Sequence, residues 1–488
     1  MFESAEVGHV VGELEFERAA EKLHAELLAV QRQLREAKIP VVVIVSGVEA
    51  AGKSQVVKRL TQWLDARSVQ SVAFWDESDE ERERPAQWRY WRRLPPRGHI
   101  GIFFGSWYTR PIVARVKKKL GRGAFERELA SIATLERMLT DDGALLVKLW
   151  FHVSRKEQKR RLKQIASEQR RQLTPFEKAY AKGYERFAKV SAHALRATDS
   201  GAAPWHIVDA SDRRYRELTA GRILLDALRQ RLAAGAKAPP QGKRAESRPG
   251  RFKTVLDGVD LRARAAPAKY QDQLEDLQSR LDTLAWRARR KKVSTVLALE
   301  GWDAAGKGGA IRRVTAALDA RLFRVIPIAA PTDEERAQHY LWRFWRQLPR
   351  GGYVTIYDRS WYGRVLVERV EGFARPDEWG RAYAEINEFE RQLTSSGAVL
   401  CKFWLHIGRA EQLRRFEERA ATEHKKHKIT DEDWRNREKW KPYARAVDEM
   451  VARTSTEYAP WTLVPANDKK HARLTVLRTV CKALERAL

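Results

Sequence analysis

Two stretches of this 488-residue chain have the residue types and spacing to close around phosphate. Gly47-Val-Glu-Ala-Ala-Gly-Lys53-Ser54 and Gly301-Trp-Asp-Ala-Ala-Gly-Lys307-Gly308 both read GxxxxGK, each behind a short β-branched run. Glycines there let backbone N–H groups wrap phosphate oxygens, a helix N-terminus adds partial positive charge, and the lysine reaches the outer phosphates. Gly306, Lys307 and Gly308 are therefore phosphate-binding candidates. Ser54 could reach Mg²⁺ in the first loop, but Gly308 replaces it in the second. A cation there needs other ligands, and Asp303 and Asp358 fit, because hard cations prefer carboxylate oxygen. Asp358 ends an apolar run in Ile356-Tyr-Asp358-Arg359-Ser-Trp-Tyr-Gly-Arg364. A carboxylate at the C-terminal end of a buried strand stands beside a phosphate loop, and Arg359 next to it could clamp a phosphoryl group in transfer. The plainer reading is a buried Asp–Arg pair that holds the strand end.

The two loops belong to a long internal repeat. The lysines are offset by 254 residues (307 − 53), and the same offset aligns Trp88-Arg-Tyr-Trp-Arg-Arg-Leu-Pro95 with Trp342-Arg-Phe-Trp-Arg-Gln-Leu-Pro349. It also aligns Ser106-Trp-Tyr108 with Ser360-Trp-Tyr362, and Leu146–Trp150 with Leu400–Trp404. Ala203-Pro-Trp205 matches Ala459-Pro-Trp461 at 256 (461 − 205). One register held across several motifs is a duplicated domain, not a solenoid. The copies differ where the chemistry should be. Phe104 and Gly105 stand opposite Asp358 and Arg359, and Glu49 opposite Asp303. The cation-dense segment His424–Trp440, with Arg435, Arg437 and Lys439, reads as a lid over a polyanion, or else as a solvated helix face. Opposite its Trp434, Arg435 and Arg437 the first copy has Lys178, Ala179 and Ala181.

These residues need elements to hold them. Apolar spacing in Tyr270–Arg290 predicts a helix. The runs Val41–Val45, Val293–Leu299, Tyr353–Tyr357 and Ala398–Leu405 predict buried parallel strands. Strands alternating with helices imply a doubly wound α/β fold in each copy. The segment Ala233–Arg251, rich in Pro, Gly, Ala and basic residues, reads as a linker. The expected division is a degenerate domain over 1–235, a linker over 236–264 and a catalytic domain over 265–488.

Composition bounds the partners. Hydrophobic residues make up 43% and charged residues 32%, enough for sizeable cores. No apolar run reaches the ~18–20 residues of a spanning helix, and the acidic N-terminal stretch is unlike a signal peptide. No membrane association and a cytoplasmic location are expected. Cys401 and Cys481 are far apart and form no metal or disulfide pattern. Lys+Arg of 93 against Asp+Glu of 64 gives +29, a surface that seeks polyanions: nucleic acid, anionic membrane or polyphosphate.

GWDAAGKGG, YLWRFWRQLP, YDRSWYGR and the closing APWTLVPANDK resemble the signature motifs of the polyphosphate kinase 2 family. The likeness spans nearly all of the second copy and, more weakly, most of the first. It implies two tandem thymidylate-kinase-like P-loop folds, each a three-layer αβα sandwich on a parallel sheet. It also implies Mg²⁺ as cofactor, inorganic polyphosphate as donor and a homo-oligomer. Carried over by position, Asp303, Lys307, Asp358 and Arg359 perform catalysis, and Asp303 and Asp358 hold Mg²⁺. Gly306, Lys307, Gly308, Arg364, Arg435, Arg437 and Lys439 bind phosphate, while Asn387 and Glu390, in EINEFERQL, serve the nucleotide. The expected reaction moves a phosphoryl group from polyphosphate to AMP, giving ADP. Two alternatives are a nucleoside diphosphate (ADP or GDP) as acceptor, or an ATP-dependent kinase of another small molecule. Nucleic-acid binding, raised by the charge and 17 tryptophans, is not expected. Trp88/Trp342, Trp91/Trp345 and Trp107/Trp361 recur at matching positions, as packing residues do.

Overall fold

The computed structural model describes residues 1–74, 76–168, 183–235, 254–422 and 431–488. It contains two compact units. The first comprises Met1–Glu77, Arg89–Pro239 and Asp333–His339, and the second Ser78–Trp88, Pro240–Thr332 and Tyr340–Leu488. Each unit thus takes a short stretch from the opposite half of the sequence.

Each unit is built on a five-stranded, all-parallel sheet. In the first, β1 (Val41–Gly47), β2 (Val69–Ala73), β3 (Ile100–Phe104), β4 (Leu145–His152) and β5 (Trp205–Asp209) lie in the order β2-β3-β1-β4-β5. In the second, β6 (Thr295–Gly301), β7 (Phe323–Pro327), β8 (Val354–Asp358), β9 (Val399–His406) and β10 (Trp461–Pro465) repeat it as β7-β8-β6-β9-β10. The chain leaves each central strand between neighbours that came from opposite directions of winding. That switch point is where open α/β sheets bind ligands, beyond the carboxyl ends of the strands.

The central strands are apolar because helices cover both their faces. Val296, Leu297, Ala298 and Leu299 are fully buried, as are Val41, Val43 and Ile44. The strands expected from these runs are present, with ends shifted by one or two residues. The four edge strands carry no such signal. β2 and β7 have no buried residue and expose side chains on both faces, and so include polar residues such as Gln70 and Arg324. The helix expected over Tyr270–Arg290 runs from Tyr270 to Lys291, with Leu274, Leu277, Leu281 and Leu284 buried.

The same polar knot ties the layers together in both units. Lys402 of β9 is fully buried and donates to Glu390 Oε2 at 2.7 Å, to the Tyr362 hydroxyl at 2.9 Å and to the Thr454 carbonyl at 2.7 Å. Trp361 Nε1 and the Tyr362 hydroxyl both donate to Glu390 Oε1, at 3.0 and 2.6 Å. In the first unit Lys148, Glu136, Tyr108, Trp107 and Thr198 repeat these contacts. With every member bonded, the knot fixes the segment that follows β3 or β8.

Candidate functional site

Both phosphate loops turn in the same way. Gly301 crosses so close to β9 that an added Cβ would lie 2.6 Å from the Leu405 carbonyl oxygen. Ala304 at φ 63° and Gly306 at φ 108° then bend the chain into the helix Lys307–Thr315. Ala50 and Gly52 do the same before the helix Lys53–Trp63. An arginine, fully buried in the second unit, braces each loop from behind. Arg415 donates to the carbonyls of Ala304, Ala305, Ala466 and Asn467, and Arg161 to those of Ala50, Ala210 and Ser211. The loop scaffold is thus common to the two units.

In the second unit the loop opens on a cleft of about 520 Å³, lined in part by Asp303, Gly306, Lys307, Gly308, Asp358 and Arg359. The structure brings these six sequence candidates together. Lys307 Nζ rests on the Gly301 and Trp302 carbonyls at 2.7 and 3.4 Å, and among the described residues it has no ion pair. Asp358 is the half-exposed last residue of an otherwise buried strand, in register with Leu299 of β6. Asp303 accepts from Arg359 at 3.5 Å and from Asn436 at 3.0 Å.

Arg359 is held in the left-handed region, at φ 64°. Such a conformation costs an L-residue about 1 kcal/mol or more and persists where the surroundings enforce it. The first unit puts Gly105 there, at φ 76°, where glycine adopts it freely. The second unit keeps a side chain at a position the backbone would rather leave bare, and that side chain reaches Asp303.

Three further residues, which line a smaller cavity of about 70 Å³ that also touches Asp303, Lys307 and Arg359, lie outside the set read from the sequence. Glu300, at the end of β6, is buried and accepts from Ser360 Oγ at 2.7 Å. Burial pushes its carboxyl above the usual range, against the pull of the Ser360 hydrogen bond and of Lys307 and Arg359. Its counterpart at the 254 offset is Ser46, a signal visible in the repeat. Trp302 stacks on Trp440 at 3.8 Å and 6°, and its indole N–H donates to His406 Nδ1 at 3.1 Å. Asn436 ties the helix Asp431–Glu438 to the loop through Asp303.

The remaining candidates scatter. Arg435 is exposed. Arg437 is spent on the Arg409 carbonyl and Gln412 Oε1, at 2.7 and 3.1 Å. Lys439 pairs with Glu371 at 2.6 Å, and Arg364 with Glu368 at 3.2 Å. His424–Thr430 of the cation-dense segment, and Lys178, Ala179 and Ala181 opposite it, lie outside the described residues. Glu390 and Asn387, expected on the nucleotide side, both lie on the helix Pro376–Ser395. Glu390 is fully buried in the Lys402 knot, with both oxygens engaged. Asn387 donates to the Arg453 carbonyl and accepts at its own carbonyl from Tyr458.

The cleft's donor set suits one kind of metal. Among the described residues no three His, Cys, Asp or Glu gather as a ready-made metal cage. Two carboxylates beside a phosphate loop match Mg²⁺, which keeps waters and takes further ligands from substrate phosphates. Among the described residues no helix is long and apolar enough to cross a membrane.

A family model described as "Polyphosphate kinase 2 (PPK2)" matches residues 12–235 and 264–488. The chain belongs to this family. It is 49% identical to the "Polyphosphate:AMP phosphotransferase" of Pseudomonas aeruginosa, over 100% of this chain and 99% of that protein. A protein of the same name from Pseudomonas syringae pv. tomato is 47% identical, again over 100% and 99%. A solved structure described as a putative polyphosphate kinase 2 from Pseudomonas aeruginosa superposes with a TM-score of 0.89 at 48% identity, covering 100% of this chain and 99% of its own.

Proposed function

We infer that this member of the polyphosphate kinase 2 family transfers the terminal phosphoryl group of inorganic polyphosphate to AMP, giving ADP, and that the second domain does so. The observation that carries the reading is the 520 Å³ cleft joining the phosphate loop, two carboxylates and a strained arginine. Full-length likeness to relatives named for polyphosphate and AMP supports the donor and the acceptor.

An oxygen of the AMP phosphate attacks the terminal phosphorus of the chain. The P–O–P bond breaks, and the shortened chain leaves with the bond's electrons on its oxygen. Both reactants are anions, so catalysis is chiefly positioning and charge neutralisation. Lys307 and the loop N–H groups hold donor phosphates. Arg359 spans donor and acceptor from its fixed left-handed backbone. Asp303 and Asp358 would hold a Mg²⁺, which would supply further positive charge to the substrate phosphates. Glu300 orients Ser360, and with it the backbone that follows Arg359.

In this reading residues 1–235 form a domain that keeps the fold and has given up the chemistry. Phe104, Gly105, Ser46 and Glu49 stand where Asp358, Arg359, Glu300 and Asp303 act.

The test offers polyphosphate and Mg²⁺ with AMP, ADP or GDP as acceptor. ADP formation from AMP should be the fastest. Faster phosphorylation of ADP or GDP would move the chain to the diphosphate alternative. Activity with ATP as donor but not polyphosphate would overturn the donor.

A further inference from the structure

The phosphate loop of the second unit is held through a side chain as well as through its backbone. Trp302, its second residue, is buried, and its carbonyl is one of the two seats of Lys307 Nζ. Asp303 follows it directly. Where the Trp302 indole lies therefore decides how the Asp303 carboxylate leaves the loop. Two residues of β9 meet this indole: His406 Nδ1 accepts its N–H, and Trp404 packs edge-on at 5.7 Å and 72°. The third partner, Trp440, lies flat on it, with 3.8 Å between ring centroids and 6° between planes.

Trp440 comes from another element. It opens the helix Trp440–Thr454, directly after the helix Asp431–Glu438. Its neighbours reach the same loop: Asn436 donates to Asp303 Oδ2 at 3.0 Å, and Tyr443 donates to Asn436 Oδ1 at 3.3 Å. Among the described residues, Asn436 and Tyr443 line the 70 Å³ cavity, and Trp440 lines neither it nor the larger cleft. Trp440 thus has a route to the chemistry only through the residues it packs on.

The first unit has taken this arrangement apart. Trp302 corresponds to Val48, which is buried and offers no ring to stack on. Trp440 corresponds to Tyr184 (440 − 184 = 256), the first residue of the helix Tyr184–Thr198. The Tyr184 hydroxyl donates to the Val153 carbonyl at 2.8 Å and bonds His152 Nε2 at 3.1 Å. The same helix start is therefore tied to a strand end in one unit and to the phosphate loop in the other. Packing of the fold requires an aromatic residue there, but it does not require that residue to touch the loop.

We propose that Trp440 is a positioning residue for phosphoryl transfer: stacked on Trp302, it holds the phosphate loop in the conformation in which Asp303 and Lys307 meet the substrates. The inference rests on the reading of this cleft given above. A flat contact between two indoles fixes tilt as well as distance. A small displacement of groups that align reactants lowers turnover without removing any contact to substrate.

The test is a double-mutant cycle on the full chain: wild type, Trp440→Met, Trp302→Leu and the two combined, each checked by thermal melting. Methionine fills space without a flat ring, and Trp440→Leu takes its place should that protein melt early. Trp440→Met should lower kcat by about 10–100-fold and leave KM for AMP within about threefold of wild type. The combined variant should be no slower than Trp302→Leu alone. Trp440→Phe, which keeps a flat ring, should restore most of the lost turnover. Binding of polyphosphate with Mg²⁺ and no acceptor gives a second cycle that needs no turnover, and Trp440→Met should weaken it several-fold, again with no further loss in the combined variant. Wild-type rates and affinity in Trp440→Met would overturn the proposal. Losses that multiply in the combined variant would overturn it too, because Trp440 would then act by a route other than Trp302. So would a Trp440→Phe protein as impaired as Trp440→Met. A wild-type protein that binds polyphosphate but forms no ADP would remove the reaction proposed above, and the binding cycle would still decide the role of Trp440. A wild-type protein that binds no polyphosphate would overturn both.

Discussion

The two domains answer the same sequence of structural questions and diverge in what they do with the answers. Their sheets have the same order, their loops the same left-handed turns, and their buried Lys–Glu–Tyr–Trp knots bond lengths within a few tenths of an ångström or better. Among their differences, those that bear on phosphate chemistry gather at the loop mouth. There, side chains that make a charged cleft in one domain become apolar, absent or self-neutralised in the other. In the reading proposed above, the knot that both domains keep serves the fold, because a domain without the chemistry still needs it. Residues that only one keeps are under a demand the fold does not impose. The comparison separates the two roles where burial and charge alone would not, since Glu390 and Glu300 are both buried carboxylates.

The sharpest way to break this division is to give the second domain the first domain's residue. Arg359→Gly should lower turnover by about 10²–10³-fold, the loss typical of removing one charge-stabilising group from a preorganised site. The same change relieves left-handed strain of about 1 kcal/mol, offset by glycine's greater freedom in the unfolded chain. Thermal melting should therefore show no loss of stability. A variant that lost stability and kept activity would make Arg359 a structural residue and reverse the argument.

A second test uses pH. His406 is buried, and burial holds its imidazole down to about 4 from 6.5, with Asp257 pulling weakly the other way. Its Nδ1 accepts from the indoles of Trp302 and Trp404, at 3.1 and 3.4 Å, which requires the neutral ring there. A histidine with a lowered folded pKa contributes stability that is complete above its unfolded value and is lost as pH falls toward the folded one. The second domain should accordingly lose up to roughly 3 kcal/mol between pH 6.5 and 4, and Trp302 should loosen with it. In the first unit His152 instead bonds Glu6 and Tyr184. His406→Asn, which keeps an acceptor without titrating, should flatten the second domain's dependence in a pH series of melts. An unchanged series would sever the link between His406 and the loop.

Much of this was legible in the sequence because the signals are local. GxxxxGK after a β-branched run forces a strand, a turn and a helix, and the offset of the repeat aligned Asp358 with Phe104 without any coordinates. The edge strands were not legible, because a strand whose side chains reach solvent loses the apolar run that marks the centre. Arg359's left-handed backbone is invisible in the residue itself, though Gly105 opposite it was a clue. Glu390 was placed on the nucleotide side by position, through the resemblance to the family. Its retention as Glu136, together with Lys402 as Lys148, was the evidence that it belongs to the knot. Glu300 against Ser46 carried the opposite message.

The smallest expected effect is the most discriminating. Lys53 sits in the loop that matches the phosphate-binding pattern better, yet its ammonium is occupied. It donates to the Gly47 and Val48 carbonyls at 3.2 and 2.7 Å and pairs with Glu49 at 3.4 Å. In the second domain Asp303 takes the place of Glu49, and its carboxylate turns to Arg359 and Asn436 and not to Lys307. A lysine already neutralised by its own loop, with Arg216 packed against the neighbouring glycine, has little to offer an incoming phosphate. Lys53→Ala should leave ADP formation within about twofold of wild type and cost at most about 1 kcal/mol of stability, whereas Lys307→Ala should be as damaging as Arg359→Gly. Equal severity at Lys53 and Lys307, measured with AMP and polyphosphate on proteins that melt normally, would mean that the first loop also handles phosphate and that its divergence at the mouth is a change of task, not a loss.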